Sequence, residues 1–234
     1  MKVAIYTSIF GEYDNLIEDQ IKLDGFDYIC FTDADIRSST WEVVKSTPIY
    51  KDSNRNAKKY KILPHRYLKN YDYSIWIDGN IKVVGDVTKA IDDSVYKVYD
   101  HNQTKLDPRD CLYEEANAIF TMGYNNTMRN PTKGILNYKD NPYIMEKQIN
   151  RYKAEGYPKN NGLATNPIIF RRHNDKSVID LMESWWEEIK YNSRRDQLSF
   201  DYICWKKNFK YSLLLGDSRD NEFFKSMGKH TGKK

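Results

Sequence analysis

Cysteine is scarce and scattered in this chain. Three residues in 234, Cys30, Cys111 and Cys204, lie far apart without Cys-x-x-Cys spacing. That excludes a disulfide-built scaffold and offers no zinc pattern. Long apolar runs are missing as well: nothing approaches the roughly 20 consecutive apolar residues of a membrane-spanning helix. The start, Met1-Lys2-Val3-Ala4-Ile5-Tyr6, leads directly into a strand pattern rather than a signal-type apolar stretch. A reducing, cytoplasmic setting with no membrane span is expected. Charge of one sign is thin too. Lys and Arg number 37 against 33 Asp and Glu, a net +4, and only residues 225–234 are locally basic. Nucleic-acid binding needs a concentrated basic stripe, so no nucleic-acid partner is expected. The mild excess suits a small anion such as a nucleoside diphosphate. There is no repeat, low-complexity tract or linker, which predicts one domain over 1–220 followed by a basic tail, 221–234, that closes over the site.

Aromatics, by contrast, are abundant at 14%, with 19 Tyr and 5 Trp. Disordered chains lack them, so this one folds. Most of the tyrosines are expected at core edges, where an apolar ring carries a polar tip. "KVAIYTSIF", "FDYICFTD" (26–33), "WEVVKS" (41–46) and "YSIWID" (73–78) read as strands. Residues 53–69 read as helix, capped by Ser53 or Asn54, with Pro64 as a kink or a boundary. Helices follow at 111–122 and 143–154, separated by a loop, "GYNNTMRNPTKG". Then come a strand "NPIIFRR" (166–172), an amphipathic helix over 175–192 with Trp185 and Trp186 in the core, a helix over 194–208 and a last strand, "KYSLLLG". Strand–helix–strand spacing predicts an α/β fold, Rossmann-like, with a mostly parallel sheet flanked by helices. Ligands of such sheets bind beyond the carboxyl ends of the strands. Thr7-Ser8, Thr32-Asp33 and Asp78-Gly79-Asn80 fall there.

Asp78-Gly79-Asn80 has two readings. Asp-Gly is a frequent short turn signal. Asp-x-Asn at a strand end also offers two hard oxygen ligands to Mn²⁺ or Mg²⁺. Upstream, Arg55, Lys58, Lys59 and Lys61 form a basic cluster, either a solvated helix face or a diphosphate clamp. Downstream, Asp196 and Gln197 open a helix, where the carboxylate serves as a cap or as a general base. His230 lies in the tail, either exposed or supplying an imidazole. His101, Arg109, Asp110, Glu114 and Glu115 cluster in sequence. Adjacent helical carboxylates point about 100° apart, so at most one of the two glutamates faces a given site.

"KYKILPHRYLKNYDYSIWIDGNIKV", "CLYEEANAI", "IIFRRHN" and "RRDQLSFDYICWK" together resemble the glycosyltransferase-like family of plant turgor-regulation and mucilage-synthesis proteins, which has bacterial and viral members. The match runs from about residue 5 to 205, and its layout is similar to the wider GT-A class of glycosyltransferases. The resemblance implies a GT-A-like mixed sheet and transfer of a sugar from a nucleoside-diphosphate sugar, UDP favoured, to a glycan or other hydroxyl acceptor. It implies Mn²⁺ or Mg²⁺ at Asp78 and Asn80, with His230 as third ligand, and places Arg55, Lys61 and Gly79 at the donor. Thr7, Phe10, Tyr13 and Asp33 would surround the nucleotide base, and Asp196 and Gln197 the sugar and acceptor. Asn80 stands where the wider class has a second Asp, "HTGKK" lacks the usual Pro-Trp ending, and Thr165-Asn166-Pro167 stands where family members often carry Pro-Glu-Gly. The alternative is a non-catalytic sugar-nucleotide or carbohydrate binding module of the same fold. A nucleotidyltransferase would need a glycine-rich, Arg-containing phosphate loop, and "TSIFGEYDN" has a single Gly.

Overall fold

The computed structural model describes residues 1–228. In chain order its strands and helices are β1 (Val3–Ile9), β2 (Phe26–Thr32), β3 (Glu42–Lys45), α1 (Ser53–Ile62), α2 (Pro64–Tyr67), β4 (Tyr73–Ile77), β5 (Ile81–Val83), β6 (Tyr96–Asp100), α3 (Leu112–Arg129), α4 (Pro142–Ala154), β7 (Ala164–Arg171), α5 (Lys176–Tyr191), α6 (Phe200–Lys207), β8 (Ser212–Leu214) and β9 (Phe224–Ser226). Seven strands form one sheet in the order β3-β2-β1-β4-β7-β6-β8, and β5 pairs with β9 in a second. Pairs β1–β2, β1–β4, β2–β3 and β6–β8 are parallel, whereas β7 runs antiparallel to both neighbours. The expected mixed, mostly parallel α/β sheet is therefore present.

All seven residues of β1 are buried, the continuous apolar pattern of a strand covered on both faces. Its alternation sorts the core into two clusters. Ala4 and Tyr6 join Trp76, Ile169 and the inward residues of the helices, among them Trp185 and Trp186. Val3, Ile5 and Ile9 join Ile75, Ile77 and Phe170 on the other face, where β5, β9 and the 3₁₀ turn Val87–Ala90 provide the cover. The helices thus gather on one face. All three cysteines are buried and free. No helix among the described residues is long and apolar enough to cross a membrane.

Pro64 marks a boundary rather than a kink. It opens α2 at a position needing no N–H donor, directly after α1 ends. Other segments depart from the sequence reading. The segment from Gly123, expected as loop, is helical to Arg129, and Gly123 seats the Tyr138 ring: a Cβ there would lie 2.0 Å from Tyr138 Cδ1. Strand β6 escaped notice because its pattern is broken by Lys97, a buried lysine whose Nζ bonds Ala90 O at 2.8 Å and Asp92 Oδ2 at 2.7 Å. Residues 194–208 are not one helix; a 3₁₀ turn, Asp196–Leu198, precedes α6. Within the segment read as a tail, Phe224–Ser226 is strand β9, in register with Ile81–Val83.

His173 in the "IIFRRHN" block is fully buried, its Nε2 2.9 Å from Leu68 O. Burial pushes its pKa down to about 4, below the ordinary value of 6.5 that the unfolded chain keeps. The unfolded chain then binds more protons between those limits, so this contribution is complete above about pH 6.5 and is lost as pH falls toward 4. Melting curves across that window should show the loss, and His173→Gln, which keeps a neutral donor for Leu68, should flatten it. An unchanged slope in the variant contradicts this assignment.

Candidate active site

A cleft of about 320 Å³ opens at the carboxyl ends of β1 and β4. Because β7 runs against β4, its amino-terminal residues Thr165–Pro167 reach the same end, and Asp78 N donates to Pro167 O at 2.8 Å. Asp78-Gly79-Asn80 is a tight turn, closed by Ile81 N on Asp78 O at 2.9 Å. It does not make a hairpin, since β4 and β5 belong to different sheets. Gly79 is required by close approach: a Cβ there would meet Asp14 Oδ2 at 3.0 Å and Asp14 Cβ at 3.2 Å.

At the floor lies a buried chain of charges. Lys61 Nζ bonds Asp78 Oδ1 at 3.1 Å and Asp196 Oδ2 at 2.7 Å, while Lys58 Nζ meets Asp196 Oδ1 at 2.9 Å. Trp76 Nε1 donates to Asp78 Oδ1 at 2.8 Å. The side chains of Lys61 and Asp196 are 3% and 10% exposed. Lys58 and Lys61, three apart on α1, share the face turned to the cleft. Burial works against the charge of Asp196, but Lys58 and Lys61 outweigh it and hold the carboxyl far below the usual carboxylate range. For Lys61 burial is likewise opposed by Asp196 and Asp78, and the net shift is upward. For Lys58 burial wins over Asp196, and its pKa is lowered.

Phe10, Tyr13, Lys61, Asp78, Gly79, Asn80, Asp196 and Gln197 all line the cleft. Burial and Asp14 raise the Tyr13 pKa, and Arg195 and Asp78 are both near enough to act on it. Three expected residues are elsewhere. Arg55 does not line the cleft: it donates to Ile189 O at 3.1 Å and Asn192 O at 2.8 Å, satisfying carbonyls at the end of α5. Asp33 is spent on the chain turn after β1, accepting Gly11 N at 3.1 and 3.2 Å. Gly11 is itself fixed there by a φ of +63° and by Ser53 Oγ, 2.2 Å from where a Cβ would stand. Thr7 is buried within β1 and does not line the cleft. Lys59 points over the Tyr60 and Tyr67 rings. His230 lies outside the described residues.

The structure adds Asp14, Lys58, His101, Asn166, Arg195, Ser218 and Arg219 to the lining. Arg195 adjoins Asp196 in "RRDQL", a signal open to notice. Its Nη2 bonds Glu115 Oε1 at 3.0 Å, and Glu115 also pairs with Arg109. Of the two adjacent glutamates it is therefore Glu115 that turns inward. Glu114 is exposed and accepts Asp110 N at 3.3 Å.

Two oxygens around the turn remain without a partner named above. Lys61 and Trp76 occupy Asp78 Oδ1, leaving Oδ2. Asn80 donates through Nδ2 to Gly228 O at 2.8 Å, which leaves its Oδ1. Two oxygens suit a Mg²⁺ or Mn²⁺ that keeps other positions for water and phosphate. No group of three or more His, Cys, Asp or Glu able to hold a metal occurs among the described residues.

Residues 28–229 match the TOD1/MUCI70 glycosyltransferase-like domain. The chain belongs to this family. Among relatives of this TOD1/MUCI70 domain, the probable hexosyltransferase MUCI70 of Arabidopsis thaliana is 25% identical over 225 residues, covering 94% of this chain and 36% of the plant protein. The chain thus spans about a third of that relative's length. A solved glycosyltransferase involved in the glycosylation of the major capsid of PBCV-1 is similar over 97% of this chain and 93% of its own, at 8% identity and a TM-score of 0.48.

Replacing Lys61 with Met leaves Asp78 and Asp196 short of a buried partner. Loss of one member of a buried ion pair costs about 3 kcal/mol, and urea unfolding of Lys61→Met should show a loss of that order. A change under about 1 kcal/mol, the scale of an exposed pair, contradicts the buried network.

Proposed function

We propose that this chain transfers a hexosyl residue from a nucleoside-diphosphate sugar, with UDP the favoured nucleotide, to a hydroxyl of a glycan or other acceptor. The observation that carries the reading is the Lys58–Asp196–Lys61–Asp78 chain beneath the cleft. It fixes carboxylates and ammonium groups before any ligand arrives, which is how a preorganised site stabilises developing charge. Family membership supports glycosyl transfer as the class of chemistry.

Tyr13 offers its ring to the base at the β1 end, whereas Phe10 is buried and stacked on Tyr60. Asp78 Oδ2 and Asn80 Oδ1 would hold Mn²⁺ or Mg²⁺. Such a cation neutralises charge on a leaving diphosphate. Lys61 fixes the Asp78 carboxylate, and the Gly79 bend keeps Asp14 against the turn. Gln197 lines the cleft and donates through Nε2 to Ala164 O at 3.5 Å, which would leave its amide oxygen for a sugar hydroxyl. Asp196 is a poor proton acceptor, since both its oxygens sit on lysines and its carboxyl is held far below the working range. Its role in this reading is to fix the sugar and the two lysines rather than to deprotonate the acceptor. That same pairing favours the second reading, a binding module of the same fold that needs no base.

Purified protein with Mn²⁺ and a panel of UDP-hexoses separates the two. Transfer predicts donor hydrolysis that is abolished by chelation and reduced about 100-fold or more in Asp78→Ala. Equal turnover in wild type, Asp78→Ala and Asp196→Ala contradicts the site. Tight donor binding without turnover under any metal identifies the binding module.

A further inference from the structure

Three segments contribute to the cleft lining polar side chains with atoms that have nothing to bond. His101 follows β6, Asn166 lies on β7 and Ser218 precedes β9; they are 9%, 4% and 1% exposed, and all three line the cleft. His101 Nδ1, both amide atoms of Asn166 and Ser218 Oγ have no hydrogen-bond partner among the described residues. Buried polar atoms are almost always satisfied, and leaving them unpaired costs stability. Four such atoms on residues lining one cleft point to a ligand that completes them.

The chemistry of that ligand follows from the wall. An amide, a hydroxyl and a neutral imidazole each donate and accept, which matches alcohol groups that also do both. Burial lowers the His101 pKa, which favours the uncharged ring. The nearby cation Arg219 is already engaged, with Nε 3.4 Å from Asp217 Oδ1 and Nη2 3.1 Å from Leu106 O. The wall is also rigid: Lys105 N bonds Asp217 Oδ2 at 2.8 Å, and Gly216 N bonds Gln103 Oε1 at 2.7 Å.

We infer that His101, Asn166 and Ser218 form a subsite for a neutral, hydroxyl-rich sugar ring. This deepens the transfer reading and rests on it only for which ring is bound, the donor's or the acceptor's. The test uses the full chain, Ser218→Ala and Asn166→Leu, with three measurements: calorimetry of UDP against UDP-hexoses, saturation-transfer NMR with methyl hexosides alone, and melting temperature. If the ring is the donor's, each variant loses about tenfold in UDP-hexose affinity, a typical single hydrogen-bond effect, while UDP affinity is unchanged. If it is the acceptor's, donor affinities hold and the methyl-hexoside signal disappears. In either case Asn166→Leu should leave the melting temperature of the free protein unchanged or raise it, because an unpaired buried amide has been removed. Hexoside binding by a wild type that turns over no donor, lost in the two variants, supports the subsite and tells against transfer alone. Sugar binding unmoved in both variants overturns the subsite, and a lowered melting temperature alongside it shows a wall completed by water.

Discussion

Lys61 joins the sheet to the site. Its backbone carbonyl accepts the Tyr6 hydroxyl at 3.0 Å and the guanidinium of Arg171, a fully buried residue of β7. Its ammonium group then reaches forward to Asp78 and Asp196. One residue at the end of α1 therefore fixes β1, β4, β7 and the turn at 196 in relation to one another. A buried ammonium keeps its proton only beside carboxylates, and buried carboxylates keep their charge only beside cations. The three sequence blocks that carry these groups depend on one another for position, and Lys61 and Asp196 also for their charge.

That mutual dependence settles the character of the cleft. Asp196 is held ionised by two lysines, so it acts through a fixed charge. Asp78 is gripped through one oxygen, leaving the other. The Asp-Gly-Asn turn is a bend held on both sides: Asn80 Nδ2 donates to Gly228 O and Asn80 O accepts Met227 N, at 2.8 Å each. Charged groups thus gather around the α1 lysines, while the wall of His101, Asn166 and Ser218 is neutral. A nucleoside-diphosphate sugar has the same division between an anionic diphosphate and an uncharged ring.

Much of this was legible in the sequence because it rests on local signals. Continuous apolar runs marked β1, β2 and β4, Pro64 marked the break after α1, and the "DGN" and "RRDQL" blocks held Asp78, Asn80, Asp196 and Gln197. What escaped depends on tertiary partners. Arg55 and Lys58 have the same spacing on α1 as Lys58 and Lys61, yet the end of α5 takes Arg55. Asp33 ends a strand, as a ligand residue should, but the Gly11 amide claims it. Lys97 hid a strand because a buried lysine with its own carbonyl and carboxylate reads as a surface residue. The "GYNNTMRNPTKG" segment read as loop, and the Tyr138 ring that Gly123 seats lies 15 residues further along. The neutral wall had no local pattern, being assembled from segments after β6, on β7 and before β9.

The most direct test of the account is a crystal of the protein grown or soaked with Mn²⁺ and UDP, with anomalous scattering measured at the manganese edge. The account predicts one manganese peak bounded by Asp78 and Asn80, with the diphosphate on it and the base beside Tyr13. A UDP molecule bound elsewhere, or seated in the cleft with manganese away from Asp78, would contradict it.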